Sequence, residues 1–255
     1  IPAYNEAQRI GPTLDDALAW LEAQALSWEL IVVDDGSTDS TRFVVLDRIA
    51  GHPWARLLES RPNRGKGHAV RLGMLAARGE LRLFMDADNS TPLSQLPMLL
   101  EAIDRGAQVA IGSRRAPGAK NKTGARPPWY RRWWSRLTNR IVRGSLVAGI
   151  RDTQCGFKLF TGAAATAIFP WVNTAGWGFD LEVLALAQRL GLGVAERPVS
   201  WSDDPRTRIH PLRDACRITL EFLRIRRAFR RGDYERAIRS CDRLLRAPEP
   251  DRSVA

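Results

Sequence analysis

The feature that most restricts the fold of this chain is an alternation, over its first 113 residues, of helix-period segments and short apolar runs. Residues 13–26, 39–50, 67–78 and 93–104 carry the helical period. Residues 29–33, 55–59, 81–85 and 108–112 are the short runs, and Ile1-Pro2 reads as the end of an apolar strand that is truncated at its start. Asp39 or Ser40 is the expected cap of the second helix. The pattern predicts an α/β class, with crossover units on a mostly parallel sheet flanked by helices. Ligands of such sheets lie beyond the carboxyl ends of the strands. The places to search for chemistry are therefore residues 3–6, 34–39 and 86–91, and Ser113 with Arg114.

The second half is less regular. Residues 116–128 form a Gly-, Pro-, Lys- and Arg-rich loop, and residues 129–148 read as a helix. In that helix Trp129, Trp133, Leu137 and Ile141 recur at i, i+4 beside a stripe of Arg132, Arg136, Arg140 and Arg143. A helix is expected over 179–190, a strand over 193–201, a basic amphipathic helix over 211–230 and a last helix over 234–245, which packs on the domain or on a second copy of the chain in a homo-oligomer. The expected division is a catalytic domain over 1–210 and a basic helical extension over 211–255.

Charge narrows the partners. The formal net charge is +11, and every charged residue from Arg114 to Arg143 is basic. That segment calls for an anionic partner: a nucleic acid, an anionic lipid or a phosphorylated substrate. Cys155, Cys216 and Cys241 are too few and too scattered for a disulfide framework or a zinc site, which favours a reducing compartment. No apolar run approaches the roughly 18–20 residues of a spanning helix.

Asp86-Ala87-Asp88 follows a strand, so two carboxylates sit at the mouth of the sheet and repel unless a cation lies near them. Oxygen ligands at this spacing suit Mg²⁺ or Mn²⁺, which keep waters and share a diphosphate. Alone, an Asp-x-Asp is a weak motif and more commonly a solvated turn. A second acidic turn, Asp34-Asp35-Gly36-Ser37-Thr38-Asp39, falls on the same edge. In Asn63-Arg64-Gly65-Lys66-Gly67 the glycines let backbone approach a bound group while Lys66 supplies a point charge. Asp180 and Glu182 are two apart, so on a helix they point to nearly opposite faces. Asp180, at the helix entrance, is the one expected to face the cleft, with an N-cap as its alternative role.

Ile1-Pro2-Ala3-Tyr4-Asn5-Glu6, Val32-Val33-Asp34-Asp35-Gly36-Ser37-Thr38-Asp39, Asn63-Arg64-Gly65-Lys66-Gly67 and Asp86-Ala87-Asp88 occur in the order seen in family 2 glycosyltransferases, which the chain resembles. Arg151-Asp152-Thr153-Gln154-Cys155-Gly156-Phe157-Lys158-Leu159-Phe160 and Trp177-Gly178-Phe179-Asp180-Leu181-Glu182 resemble the dolichyl-phosphate glucosyltransferase and polyprenyl-phosphate glycosyltransferase branch, and are similar to dolichol-phosphate mannose synthases. The resemblance spans about residues 1–213. It implies a GT-A fold and a UDP-sugar or GDP-sugar donor, with UDP-glucose preferred. Pro2, Ala3, Tyr4, Glu6 and Asp35 would line the base and ribose pocket, Lys66 would sit near the nucleotide, Asp86 would face ribose or metal, and Asp88 would be the principal metal ligand.

The resemblance further implies an inverting transfer to a polyprenyl or dolichyl phosphate. Its acceptor-phosphate region would comprise Arg114, Arg131, Arg132, Ser135, Asn139 and Arg208, with Asp88, Asp180, Arg131 and Arg208 as the catalytic group. Arginine suits this role because its planar fork grips phosphate through paired hydrogen bonds. A phosphate acceptor is already largely ionised at neutral pH and needs no base, whereas a sugar hydroxyl does. The helix over 129–148 is expected at an anionic membrane surface, making the protein peripheral on the cytoplasmic face. Two other readings stand beside this one. A saccharide hydroxyl could be the acceptor, with Asp180 or Glu182 as base. A nucleic-acid-binding protein is the other, though no nucleic acid is expected, since acidic residues at the strand ends repel phosphodiesters.

Overall fold

The computed structural model describes residues 1–123, 146–202, 211–236 and 238–240. The first half runs β1 (Pro2–Ala3), α1 (Ile10–Glu22), β2 (Leu30–Asp34), α2 (Thr41–Ile49), β3 (Ala55–Glu59), α3 (Lys66–Ala76), β4 (Leu81–Met85), α4 (Leu96–Asp104, entered through a 3-10 turn at Leu93–Gln95) and β5 (Val109–Ser113). The crossover pattern read from the sequence is therefore present, with boundaries moved by up to four residues. Strands β1, β2 and β3 form a parallel sheet in that order, with Leu30 beside Ala55 and Asp34 beside Glu59.

The unbroken apolar run of β2 follows from helices on both faces of this sheet. Val32 packs with Ile10, Leu14 and Leu18 of α1 and Val45 and Ile49 of α2. Ile31 and Val33 point the other way, onto Ala69 of α3. Alternate side chains thus reach opposite layers, and each fully buried one contributes roughly 1.5–3 kcal/mol.

A second sheet has the order β4-β7-β5-β8, where β7 (Phe157–Thr161) runs antiparallel to both neighbours and β8 (Val194–Pro198) is parallel to β5. The sequence reading assigned no element to 157–161. Lys158 interrupts the apolar run there, and an inserted antiparallel strand leaves no crossover signature. Phe157 and Leu159 join Leu96 and Leu99 of α4 on one face, while Phe160 joins Val183 and Leu186 on the other. After β7 come α5 (Gly162–Ile168) and α6 (Phe179–Arg189). The expected single strand over 193–201 is two: β8, then β9 (Ser200–Trp201), which pairs with β6 (Lys120–Asn121).

Helix α7 (Pro211–Arg231) lies on α6 through Phe222 and Ile225, which contact Leu181. Beyond it Ile238 N donates to Tyr234 O, a helical turn in the segment expected to form the last helix. Tyr234 stacks on Phe229 of its own chain. Among the described residues no helix is long and apolar enough to cross a membrane. Residues 146–148 are not helical, and the remainder of the expected 129–148 helix lies outside the described residues.

Candidate active site

The carboxyl ends of β1, β2 and β4 gather the first three motifs. Asp39 lies one residue before the cap position of α2, so it is not the cap itself. Its Oδ1 accepts from Thr41 N at 2.9 Å and its Oδ2 from Ala7 N at 3.3 Å. Asn5, in a left-handed conformation, accepts through its side chain from Thr38 N and Asp39 N. The loops after β1 and β2 are in this way tied to each other. Ala3 is buried in β1 beside Pro2, its carbonyl accepting from Asp35 N at 2.9 Å, whereas Tyr4 is 44% exposed.

Asp35 is buried and accepts from the backbone N–H groups of Arg64 and Gly65, at 3.0 and 2.6 Å. Burial raises its pKa, and the two amides oppose that rise. The carboxylate therefore fixes the loop carrying Lys66. Gly65 has φ +111°, and a side chain there would strike the carbonyl of Ala175 at 2.5 Å. Helix α3 begins at Lys66 rather than at Gly67.

Lys66 reaches across to Asp86, with Nζ 2.5 Å from Oδ1. Burial pulls the lysine pKa down, but Asp86, Asp180 and Asp88 together outweigh it and hold the ammonium charged. Glu6 pairs with Arg9, whose Nη1 lies 4.0 Å from Asp88 Oδ2. Ser90 N donates to Asp88 Oδ1, and Thr13 of α1 donates to the Ala87 carbonyl at 2.7 Å. The loop after β4 is thus held from α1, and both of its aspartates remain partly exposed. The sequence reading missed Arg9. Its only signal was its position one turn past Glu6.

Asp86 and Asp88 fit a hard divalent cation. Both offer oxygen, both keep access to solvent, and each faces a cation, Asp86 that of Lys66 and Asp88 that of Arg9. Among the described residues no group of three or more His, Cys, Asp or Glu could hold a metal. A cation here would rely on two carboxylates and fill its other positions with waters or ligand oxygens, as Mg²⁺ or Mn²⁺ does and structural zinc does not.

The expectation that Asp180 faces the cleft, with an N-cap as its alternative role, is corrected in both parts. The cap of α6 is Gly178, and Asp180 turns inward, 3% exposed, where Oδ1 accepts from Lys158 Nζ at 2.6 Å. Lys158 is wholly buried, also donates to Cys155 O, and stands 5.2 Å from the centre of the Phe84 ring. Burial raises the Asp180 pKa against the pull of Lys158 and Lys66. Glu182 is buried too, accepting from Asn173 N, Thr174 N and the Tyr234 hydroxyl. Neither carboxylate is a free base in the cleft. A lysine set between Phe157 and Leu159 was the available sign of a buried pair.

Arg114 is engaged by Asp152, whose Oδ2 accepts from its backbone N and Nε and whose Oδ1 accepts from Nη2. Burial alone would raise the Asp152 pKa, but the Arg114 guanidinium overrides it and brings the value down to about 2. The other acceptor-phosphate candidates, Arg131, Arg132, Ser135, Asn139 and Arg208, lie outside the described residues.

With this arrangement in view, the comparisons with known proteins decide the family. The profile of Glycosyl transferase family 2 matches residues 1–169. The chain belongs to that family. It is similar to a dolichyl-phosphate beta-glucosyltransferase of Trichomonas vaginalis, 38% identical over 245 residues, which span 91% of this chain and 71% of that protein. It is also similar to a dolichyl-phosphate beta-glucosyltransferase of Dictyostelium discoideum, 35% identical over 236 residues, spanning 89% of this chain and 72% of the other. In fold it resembles glucosyl-3-phosphoglycerate synthase of Mycobacterium tuberculosis, solved with Mn²⁺ and UDP-glucose. The TM-score is 0.66 and the identity 22%, with 88% of this chain and 76% of that chain covered. The GT-A architecture expected of this glycosyltransferase is therefore the one it has, and β7, with the short β6 inside the expected 116–128 loop, is the part of it that its sequence concealed.

Proposed function

We propose that this glycosyltransferase moves glucose from UDP-glucose to a dolichyl or polyprenyl phosphate, with inversion, giving a lipid-linked β-glucosyl phosphate. The observation that carries the reading is the meeting of Asp86, Asp88 and Lys66 at one edge of the sheet, in a chain 38% identical to a dolichyl-phosphate beta-glucosyltransferase. Pro2, Ala3, Tyr4, Glu6 and Asp35 line the base and ribose side. Lys66 moves from Asp86 onto the diphosphate when the donor enters. Asp86 and Asp88 would hold Mg²⁺ or Mn²⁺, which would supply neutralisation of the charge left on the departing nucleotide.

An oxygen of the acceptor phosphate forms the new bond to the anomeric carbon as the bond to the donor's β-phosphate breaks, and that electron pair leaves with UDP. No proton need be taken from a phosphate that is already ionised, so alignment and charge suffice. The burial of Asp180 and Glu182 favours this acceptor over a sugar hydroxyl, which would need a carboxylate within reach. Asp180 acts instead through Lys158, as a positioning group beneath Lys66. Arg131, Arg132, Ser135 and Arg208 hold the acceptor phosphate, and Arg114 shapes that side through Asp152.

A screen of nucleotide hexoses against a short prenyl phosphate tests this. Product from UDP-glucose that disappears with EDTA is the expected result. Transfer only to free sugars, or only from GDP-mannose, would replace the assignment.

Peripheral attachment to an anionic membrane, on the cytoplasmic face, fits the outer side of α7. Leu220 and Leu223 are exposed there among exposed Arg217, Arg224 and Arg227, a combination suited to headgroups. The protein should float with vesicles containing anionic lipid and not with neutral ones. Equal flotation with both, or none, counts against the attachment.

A further inference from the structure

Trp177 is 40% exposed, yet the backbone of the loop that carries it is tied down on either side. Glu182 accepts from Asn173 N at 2.9 Å and from Thr174 N at 2.7 Å. Glu221 of α7 accepts from Gly178 N at 2.6 Å, and the Ala175 carbonyl accepts from His68 N at 3.2 Å. The same loop presses on Gly65 so closely that no side chain fits there. An open indole on so fixed a support is partly preorganised for a ligand, because the backbone that carries it is restricted before anything binds.

Its position selects the ligand. The ammonium of Lys66 stands 4.9 Å from the centre of the indole and 2.5 Å from Asp86. The indole therefore borders the place where a sugar nucleotide's diphosphate would lie, and the group joined to the far side of that diphosphate is the hexose. In an α-linked donor such as UDP-glucose the anomeric C1–O bond is axial and every other ring substituent is equatorial, which leaves axial C–H bonds alone on the ring face opposite that bond. That face is apolar and suits the electron-rich face of an indole. An axial hydroxyl, as at C4 of galactose, interrupts it.

We propose that Trp177 is the platform on which the transferred hexose rests, and that it sets the preference for glucose over hexoses with an axial hydroxyl. The inference rests on the donor reading above. Trp177 touches substrate but takes no part in bond exchange. Cation–π contact with Lys66 keeps the indole face-on to the cleft until the donor draws the lysine to its phosphates.

The test measures dissociation constants of UDP, UDP-glucose and UDP-galactose, each with Mn²⁺, for the native protein, Trp177→Phe and Trp177→Ala. UDP serves as the internal control because it lacks the sugar. Expected are roughly three- to tenfold weaker UDP-glucose binding by Trp177→Ala with UDP unchanged, a smaller loss in Trp177→Phe, and a narrowed glucose-to-galactose ratio. Equal weakening of UDP and UDP-glucose would mean that the indole only steadies Lys66 or stacks on the base, and would overturn the proposal. So would unaltered binding of all three. A native protein that binds UDP-glucose no better than UDP removes the sugar platform while leaving a nucleotide site. One that binds neither removes the donor reading itself.

Discussion

Replacing Asp88 with Asn should lower glucose transfer to a prenyl phosphate by roughly 10²–10³-fold, the usual cost of deleting one preorganised electrostatic group at a reacting centre. The amide keeps the size of the carboxylate and can still accept from Ser90 N, so the loop after β4 should stand as before. What it loses is the charge facing Arg9 and any bound cation. Manganese affinity measured directly should fall with activity, and thermal stability should not. A variant that retains native turnover and native manganese affinity would remove Asp88 from the site, and the metal-dependent reading with it.

Lys158→Met should destabilise the fold by about 3–5 kcal/mol, because it strands the Asp180 carboxylate without its cation in the interior. Lys158 is fully buried and Asp180 nearly so, which leaves no solvent to compensate. Combining it with Asp180→Leu should restore much of the loss, since a buried ion pair is often replaceable by apolar side chains of similar volume. Urea unfolding of the two variants and the native chain measures this. If the single variant is as stable as the native chain, the pair does not hold α6 to β7. Should the double variant regain stability but not turnover, the charge of Asp180 beneath Lys66 is needed for more than packing.

The crossover units of the first half were legible because each strand end is marked by a change of hydrophobic period and each helix buries one face. The place of Asp86-Ala87-Asp88 at a strand end was legible for the same reason, since it follows β4 directly. Strand β7 was not, as a buried lysine breaks its run. The inward turn of Asp180 was invisible as well. Helical spacing separates Asp180 from Glu182 in direction but cannot tell that both directions lead to the interior, one to Lys158 and one to Asn173 and Tyr234. Arg114 looked free for a phosphate because Asp152, its partner, lies 38 residues away in sequence. Contacts of that range are set by tertiary packing, which local pattern does not encode.

Strand β7 has a bearing on the order in which the molecule can assemble. β4 and β5 do not pair with each other; β4 takes its ladder bonds from β7 and β5 from β7 and β8, both of which follow β5 in the chain. During synthesis the Asp86-Ala87-Asp88 turn therefore emerges long before the strand on which Met85 must lean. The first 113 residues on their own lack the middle of the second sheet, so closure waits on a long-range contact and the associated loop entropy. The surroundings of the Asp86-Ala87-Asp88 turn are thus complete only once the chain's own downstream half has wedged in.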